Sequence, residues 1–173
     1  MLHSIGRKPH SEELVDLLLG CHGRIRTFLE LAIAIGDRAD ASDDDVVDGS
    51  ARVHRYFAEA LPFHVEDEEE GVLPRLHGRS PEVDAALDRM CEEHEQHAAP
   101  LRRLLAICVS LRASPGSASA RIAIAATARE LFTELEPHLQ AEERVVFPAI
   151  RALLTPEEQL AIVRELRARR RPP

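Results

Sequence analysis

The sequence predicts an all-α fold, an antiparallel up-down-up-down four-helix bundle with a short C-terminal fifth helix. Three observations favour this class. Alanine, leucine, glutamate and arginine are abundant, whereas aromatic residues are only 3% of the chain and tryptophan does not occur, a composition typical of helices. Apolar residues recur three and four positions apart in several long stretches. The polar segments between these stretches are short, which favours antiparallel neighbours.

The first two helices are predicted from apolar periodicity and from the residues at their ends. Ser11 is a suitable N-cap for a first helix that ends near Gly36. The aspartates of "DRADASDDD" suit the positive N-terminal end of a second helix, from about Asp44 to about Leu76. Pro62 lacks a backbone N–H, so we expect a kink at this residue.

The other helices are bounded by serine, proline and glycine. The third is predicted from Pro81, with Ser80 as its cap, to about Arg112, with a bend at Pro100. The linker "RASPGSASA" precedes a fourth helix at about 120–153. In "TPEEQ", a threonine followed three residues later by a glutamate forms a capping box, which predicts a short fifth helix.

Length and charge limit the classes of function. We expect one domain over residues 1–173, with the bundle at about 11–153 and the fifth helix and a basic tail at about 154–173. A net charge of -8 disfavours nucleic acid and anionic membranes as partners. No stretch of 18 apolar residues and no secretion signal occurs, so we expect a cytoplasmic protein. The three cysteines are widely spaced and are predicted to be free thiols.

One phrase occurs twice in the chain. "HVEDEEEGVLP" begins at His64 and "HLQAEERVVFP" begins at His138, and each has a glutamate four residues later, Glu68 and Glu142, and a final proline. Residues four apart share one face of a helix. Each pair therefore aims an imidazole and a carboxylate in one direction, on the apolar stripe that faces the core. The other acidic residues of "EDEEE" are predicted to be mostly solvated.

These buried carboxylates require a positive charge. Burying a carboxylate without a partner costs roughly several kcal/mol, and no lysine or arginine lies on these stripes near the pairs. A metal would provide the charge. His22 in the first helix and His94 in the third lie on inward faces, so all four long helices offer an imidazole. Glu69 and Glu143 are predicted to lie at the surface or to support the ligands.

These motifs resemble the hemerythrin-like, or HHE, family of non-haem di-iron proteins. The matching elements are "CHGRIRTFL", "HVEDEEEGVLP", "EEHEQH" and "HLQAEERVVFP", in the family's order H, HxxxE, H, HxxxE. The resemblance extends over all four helices. It implies two iron ions with an oxo or hydroxo bridge. The implied ligands are His22, His64, His94 and His138, with Glu68 and Glu142 as bridges.

The third helix departs from the oxygen-carrying members of the family. Those proteins place two histidines four residues apart, whereas here His97 comes three residues after His94 and position 98 is Ala98. His97 is therefore a candidate fifth imidazole ligand, a hydrogen-bond donor to a ligand, or a pocket residue. Two six-coordinate irons have about twelve positions, of which the other ligands and a shared oxygen fill about ten. Binding of His97 would leave about one position open.

The open position predicts the function. The leading hypothesis is binding of dioxygen, peroxide or nitric oxide, for oxygen sensing or carriage or for iron and redox homeostasis. The alternative is a di-iron enzyme that degrades peroxide or reduces nitric oxide, and a third hypothesis is a purely structural metal. Zinc also accepts histidine and glutamate, but it prefers four ligands, so iron is favoured. Tyr56, two turns before His64, is predicted to pack rather than to line a pocket.

Overall fold

Five helices form the part of the chain that the computed structural model describes, residues 13–170. They are α1 (Leu14–Asp37), α2 (43–76), α3 (Pro81–Ala113), α4 (118–153) and α5 (Pro156–Arg169). No strand occurs among these residues. Consecutive long helices pack together and α4 packs along α1, so the four close a ring. The all-α bundle predicted from the sequence is confirmed.

The helix ends follow the capping chemistry, with small differences in position. Ser42 caps α2 in a capping box with Asp45, and Thr155 caps α5 in the predicted box with Glu158. Ser117 caps α4, which therefore begins two residues before the predicted start, at Ala118. Ser80 occupies the N-cap position of α3 without a side-chain hydrogen bond.

The predicted cap at Ser11 lies outside the described residues. In the structure the N-cap residue of α1 is Glu13, whose side chain makes no capping hydrogen bond.

Both helices that carry the repeated phrase contain wide π-helical turns. In α2 these are Tyr56–Ala60 and Asp67–Val72, and in α4 the turn is Glu142–Val146. Each turn ends two residues before a proline, namely Pro62, Pro74 or Pro148. Proline lacks the N–H donor and its ring clashes with a carbonyl one turn earlier, and a wider turn accommodates both defects. The interruption expected at Pro62 takes this form. Helix α3 continues through Pro100 without a π turn, and the bend expected there stays a prediction.

A layer of buried polar side chains separates two apolar clusters. Along α1, Leu18 belongs to one cluster and Ile25 to the other, with buried His22 between them. The other three long helices follow the same order. Each contributes leucine or valine to both clusters, and a histidine or glutamate lies between its two apolar segments. The bundle therefore brings polar groups from four helices to one level in its interior.

Helix α5 completes one of the two apolar clusters. Ile162, Val163 and Leu166 are buried in it. Gly71, in the second π turn of α2, lies so close to α5 that a Cβ there would be 3.1 Å from Cγ2 of Ile162. Between residues 13 and 170 no helix is long and apolar enough to cross a membrane. The three cysteines are free, as predicted.

Candidate metal centre

Six of the seven candidate ligands meet in the polar layer of the bundle. His22 comes from α1, His64 and Glu68 from α2, and His138 and Glu142 from α4, and each is at most 4% exposed. His94, from α3, is only slightly more exposed. Within residues 13–170, two groups have potential ligand atoms within 4.8 Å of one another: His22, His64, Glu68 and Glu142, and His94, His138 and Glu142.

The four imidazoles form two pairs, His22 with His64 and His94 with His138. Each carboxylate extends from one pair to the other. In Glu142, Oε2 lies 3.0 Å from Nε2 of His22 and Oε1 lies 3.1 Å from Nε2 of His138. In Glu68, Oε1 lies 3.4 Å from Nε2 of His64 and Oε2 lies 3.6 Å from Nε2 of His94. Both carboxylates thus present one oxygen to each of two positions, the arrangement of a bridging ligand.

The separations of these atoms fit metal ligation. Two donor atoms that are each about 2.1 Å from one ion lie about 3.0 Å apart at a right angle and about 4.2 Å apart when opposite. The Nε2–Oε distances between these histidines and glutamates are 3.0 to 3.9 Å. Nε2 of His22 and of His64 and all four oxygens of Glu68 and Glu142 are buried without hydrogen-bond geometry to any described residue. The residues therefore fit a metal pair between them.

Three carboxylates outside this cluster orient three of its four imidazoles, those of His22, His94 and His138. Nδ1 of His22 donates to Glu143 at 2.9 Å. Nδ1 of His94 donates to Glu69 at 2.8 Å. Nδ1 of His138 donates to Glu93 at 2.8 Å. These bonds turn each Nε2 toward the interior, as carboxylates behind metal-binding histidines do.

The sequence predicted only part of this support. Glu69 and Glu143 were predicted to lie at the surface or to support ligands, and the structure shows each hydrogen-bonded to a candidate ligand, His94 and His22 respectively. Glu93 was missed, because its partner His138 lies on another helix and no spacing along α3 indicates the pair. Arg26 further holds Glu143 through a 2.9 Å contact to its Oε1.

Burial and close charges shift the pKa values of the cluster in opposite directions. Burial would lower the pKa of His22, but the nearby carboxylates of Glu142 and Glu68 outweigh it and raise that pKa to about 10. The same balance, dominated by Glu142, raises the pKa of His138 to about 9. Burial and the charge of Glu142 raise the pKa of Glu68 to about 8. Without metal, protons on these groups offset the buried carboxylates.

The other groups of the cluster stay in the forms that bind metal. Burial and the charge of His22 lower the pKa of His64 to about 3, and burial lowers the pKa of His94. Burial would raise the pKa of Glu142, but His138 and His22 outweigh it and lower that pKa. His64 and His94 are therefore neutral and Glu142 is ionised at neutral pH.

His97 belongs to neither ligand group of the described residues, although it contacts a member of one of them. Its ring packs edge-on against His138, with 5.2 Å between the ring centroids, and it is 5% exposed. Burial, and next the charge of His138, lower the pKa of His97 to about 4, so its imidazole is neutral. Of the three roles considered from the sequence, its placement favours that of a pocket residue, and ligation stays a prediction.

A small cavity of about 30 Å³ adjoins the imidazoles. Its polar lining comes from His64, His94, His97 and His138, and its apolar lining from Ile25, Leu61, Val65, Leu101, Leu135 and Leu139. Tyr56 does not line it: its hydroxyl donates to the carbonyl of Cys21 and its ring stacks on Phe28. The packing role predicted for Tyr56 agrees with these contacts.

One expectation about a charged residue was wrong. Asp67 in "EDEEE" was predicted to be solvated, but it is fully buried, because the π turn and α5 enclose it. Arg169 and Arg170 of the basic tail contact its carboxylate. The end of the tail, 171–173, lies outside the described residues.

A helical bundle with histidines and glutamates gathered between its helices defines a metal-binding class of protein. Residues 13–150 match the Hemerythrin HHE cation binding domain, so the chain belongs to this family. The match covers the four long helices almost to the end of α4 and stops before α5. No curated protein was found to match the chain.

Proposed function

We propose that this chain is a non-haem di-iron protein that binds a small ligand, dioxygen, peroxide or nitric oxide, at an open iron position. Its role would be oxygen sensing or carriage, or iron and redox homeostasis, in the cytoplasm. The observation that carries the proposal is the pair of buried carboxylates, Glu68 and Glu142, each with one oxygen toward each imidazole pair. A single metal would not need two such carboxylates.

The proposal assigns a role to each residue of the cluster. His22 and His64 would hold one iron, and His94 and His138 the other, while Glu68 and Glu142 would bind both and offset their charge. Two irons held in this way would supply redox-active positions for a small ligand. A bridged set of oxygen and nitrogen donors, with no thiolate in either group, suits iron better than zinc.

The cavity supports a small ligand. Roughly 10–15 Å³ is enough space for one water molecule, so about 30 Å³ has room for a diatomic molecule or peroxide but not for an organic substrate. Most of the wall is aliphatic, from residues such as Leu61 and Leu135. Such a wall keeps water sparse, which favours reversible binding over reactions that consume protons.

A second candidate function, turnover of peroxide or nitric oxide, is favoured by one observation. Among the described residues that line the cavity, His97 is the one titratable side chain outside both ligand groups. Its imidazole could take up and return a proton during turnover. Peroxide decomposition by the iron-loaded protein that is lost in His97→Phe, with iron content unchanged, would favour the enzyme. Equal rates in both proteins would exclude this role.

An anaerobic titration with ferrous iron tests the leading proposal. We expect two irons per chain, and new optical absorption bands when dioxygen, peroxide or nitric oxide is added. The double variant Glu68→Gln, Glu142→Gln should lose at least one iron. Glu59→Gln, Glu134→Gln is the matched control, because both glutamates are exposed on the same two helices. Two irons in the first double variant, or none in the wild type, would refute the proposal.

A further inference from the structure

Asp67 is a second buried carboxylate next to Glu68, and its charge is balanced by α5 rather than by the metal centre. Oδ1 of Asp67 lies 3.0 Å from Nη1 of Arg169, and Oδ2 lies 2.6 Å from Nη2 of Arg170. Asp67 is fully buried. A buried carboxylate with two guanidinium partners is held strongly, because charge-assisted hydrogen bonds are short and directional.

The arginines are themselves held in place. The guanidinium of Arg170 lies 5.6 Å from the ring centroid of Phe63, one turn before Asp67, and donates to the carbonyl of Leu166 at 2.8 Å. Arg169 also contacts Glu70 at 3.3 Å. The end of α5 is therefore attached to the beginning of the π turn Asp67–Val72 at several points.

Further contacts attach α5 to the end of the same turn. Arg75 donates to the carbonyl of Gly71 at 2.7 Å and to Glu165 of α5 at 2.7 Å. Gly71 packs directly against Ile162, as described above. The turn is thus fixed at both ends by α5, a helix beyond the matched family domain.

Glu68 lies inside this turn, and within residues 13–170 its carboxylate has no hydrogen-bond partner. Both of its oxygens are buried and lack hydrogen-bond geometry to any described residue. Its position in the metal-free protein therefore depends on the backbone of the π turn and on the surrounding packing. A side chain that must reach two metal positions tolerates little displacement, since a supporting contact typically decides the geometry of a ligand.

We propose that Asp67, Arg169 and Arg170 are positioning residues that hold the π turn, and with it Glu68, in the geometry that bridges two metals. Helix α5 is then part of the metal centre, although it contributes no ligand. This inference rests on the proposed metal binding. Loss of the two arginines should release the start of the turn and weaken metal binding by about 10- to 100-fold, the usual effect of removing a partner behind a ligand.

The test compares Arg169→Ala, Arg170→Ala with the wild-type protein and with Arg164→Ala, an exposed arginine on the same helix. Cobalt(II) alone is titrated into each metal-free protein, with a chelator to measure affinity and visible spectra to report the ligand set. We expect the double variant to bind cobalt about 10- to 100-fold more weakly, with an altered spectrum, at unchanged helical content. Arg164→Ala should match the wild type.

Each other outcome is decisive. A folded double variant with wild-type affinity and spectrum, even with a lower unfolding midpoint, would show that the arginines only stabilise the fold and would overturn the inference. Should the double variant not fold, Asp67→Asn replaces it. This variant keeps the shape of the side chain but removes the charge that the two arginines contact. Wild-type binding by it would overturn the inference too. A wild-type protein that binds no metal would instead reject the proposed function.

Discussion

Metal binding to this protein should release about three protons per chain at pH 7. The perturbation is the addition of metal to the metal-free protein. At that pH, groups with the raised pKa values given above, about 10 for His22, about 9 for His138 and about 8 for Glu68, carry protons. Ligands must be deprotonated to bind a metal. Since the pKa of His64 is lowered to about 3, this imidazole has no proton to release.

The number of protons follows from the pKa values. At pH 7 the three groups are about 100%, 99% and 90% protonated, so the sum is about three, and at pH 9 it falls to about one and a half. The apparent affinity for metal should therefore rise with pH over this interval, most steeply near neutral pH.

Calorimetry in buffers of different ionisation enthalpy measures the released protons directly. His54→Gln is the control, because His54 lies outside both ligand groups, and it should leave the number unchanged. Release of fewer than one proton per chain at pH 7 would refute the reasoning, since it would mean that the carboxylates of the metal-free protein are not offset by protons.

Three other perturbations test the centre and its surroundings. The metal-free protein should become less stable between pH 6.5 and 10. The stabilising protons of His22 and His138 are fully present below about 6.5 and are lost as pH rises through their raised pKa values. Urea unfolding at pH 6.5 and pH 9.5 measures the change, and equal or greater stability at pH 9.5 would contradict it. Glu93→Gln should weaken metal binding, measured by chelator competition, by about 10- to 100-fold, whereas Glu92→Gln, at an exposed position, should not. Equal affinities of the two variants would argue against support of His138 by Glu93. Leu135→Ala should enlarge the cavity and lower the free energy of unfolding, measured with denaturant, by about 2–5 kcal/mol. A decrease in this free energy of less than about 0.5 kcal/mol would show that this side of the bundle is loosely packed.

The helices and the histidine–glutamate pairs could be predicted because they depend on local spacing. The capping box joins Thr155 and Glu158, three residues apart, and His64 pairs with Glu68, four residues apart. Both patterns can therefore be recognised in the sequence. The inward histidines of α1 and α3 were found by the same argument, since their helices place them among apolar residues. That these residues bind metal stays a prediction.

The contacts that were missed join distant parts of the chain. Glu93 is 45 residues from His138, and Asp67 is more than 100 residues from Arg169 and Arg170. A helical wheel also assumes a constant number of residues per turn, and the π turn at Asp67–Val72 breaks this assumption just where Asp67 faces α5. A regular helical wheel therefore predicted that Asp67 is exposed to solvent.

By itself, the sequence determined the all-α class, the four long helices and the two histidine–glutamate pairs, because hydrophobic periodicity, capping and i to i+4 spacing act within one helix. Only the tertiary structure decided which oxygen faces which imidazole, which carboxylates support the histidines and what neutralises Asp67. The physical reason is that charges buried in a bundle are offset by groups on other helices, and the packing of those helices alone determines which groups meet.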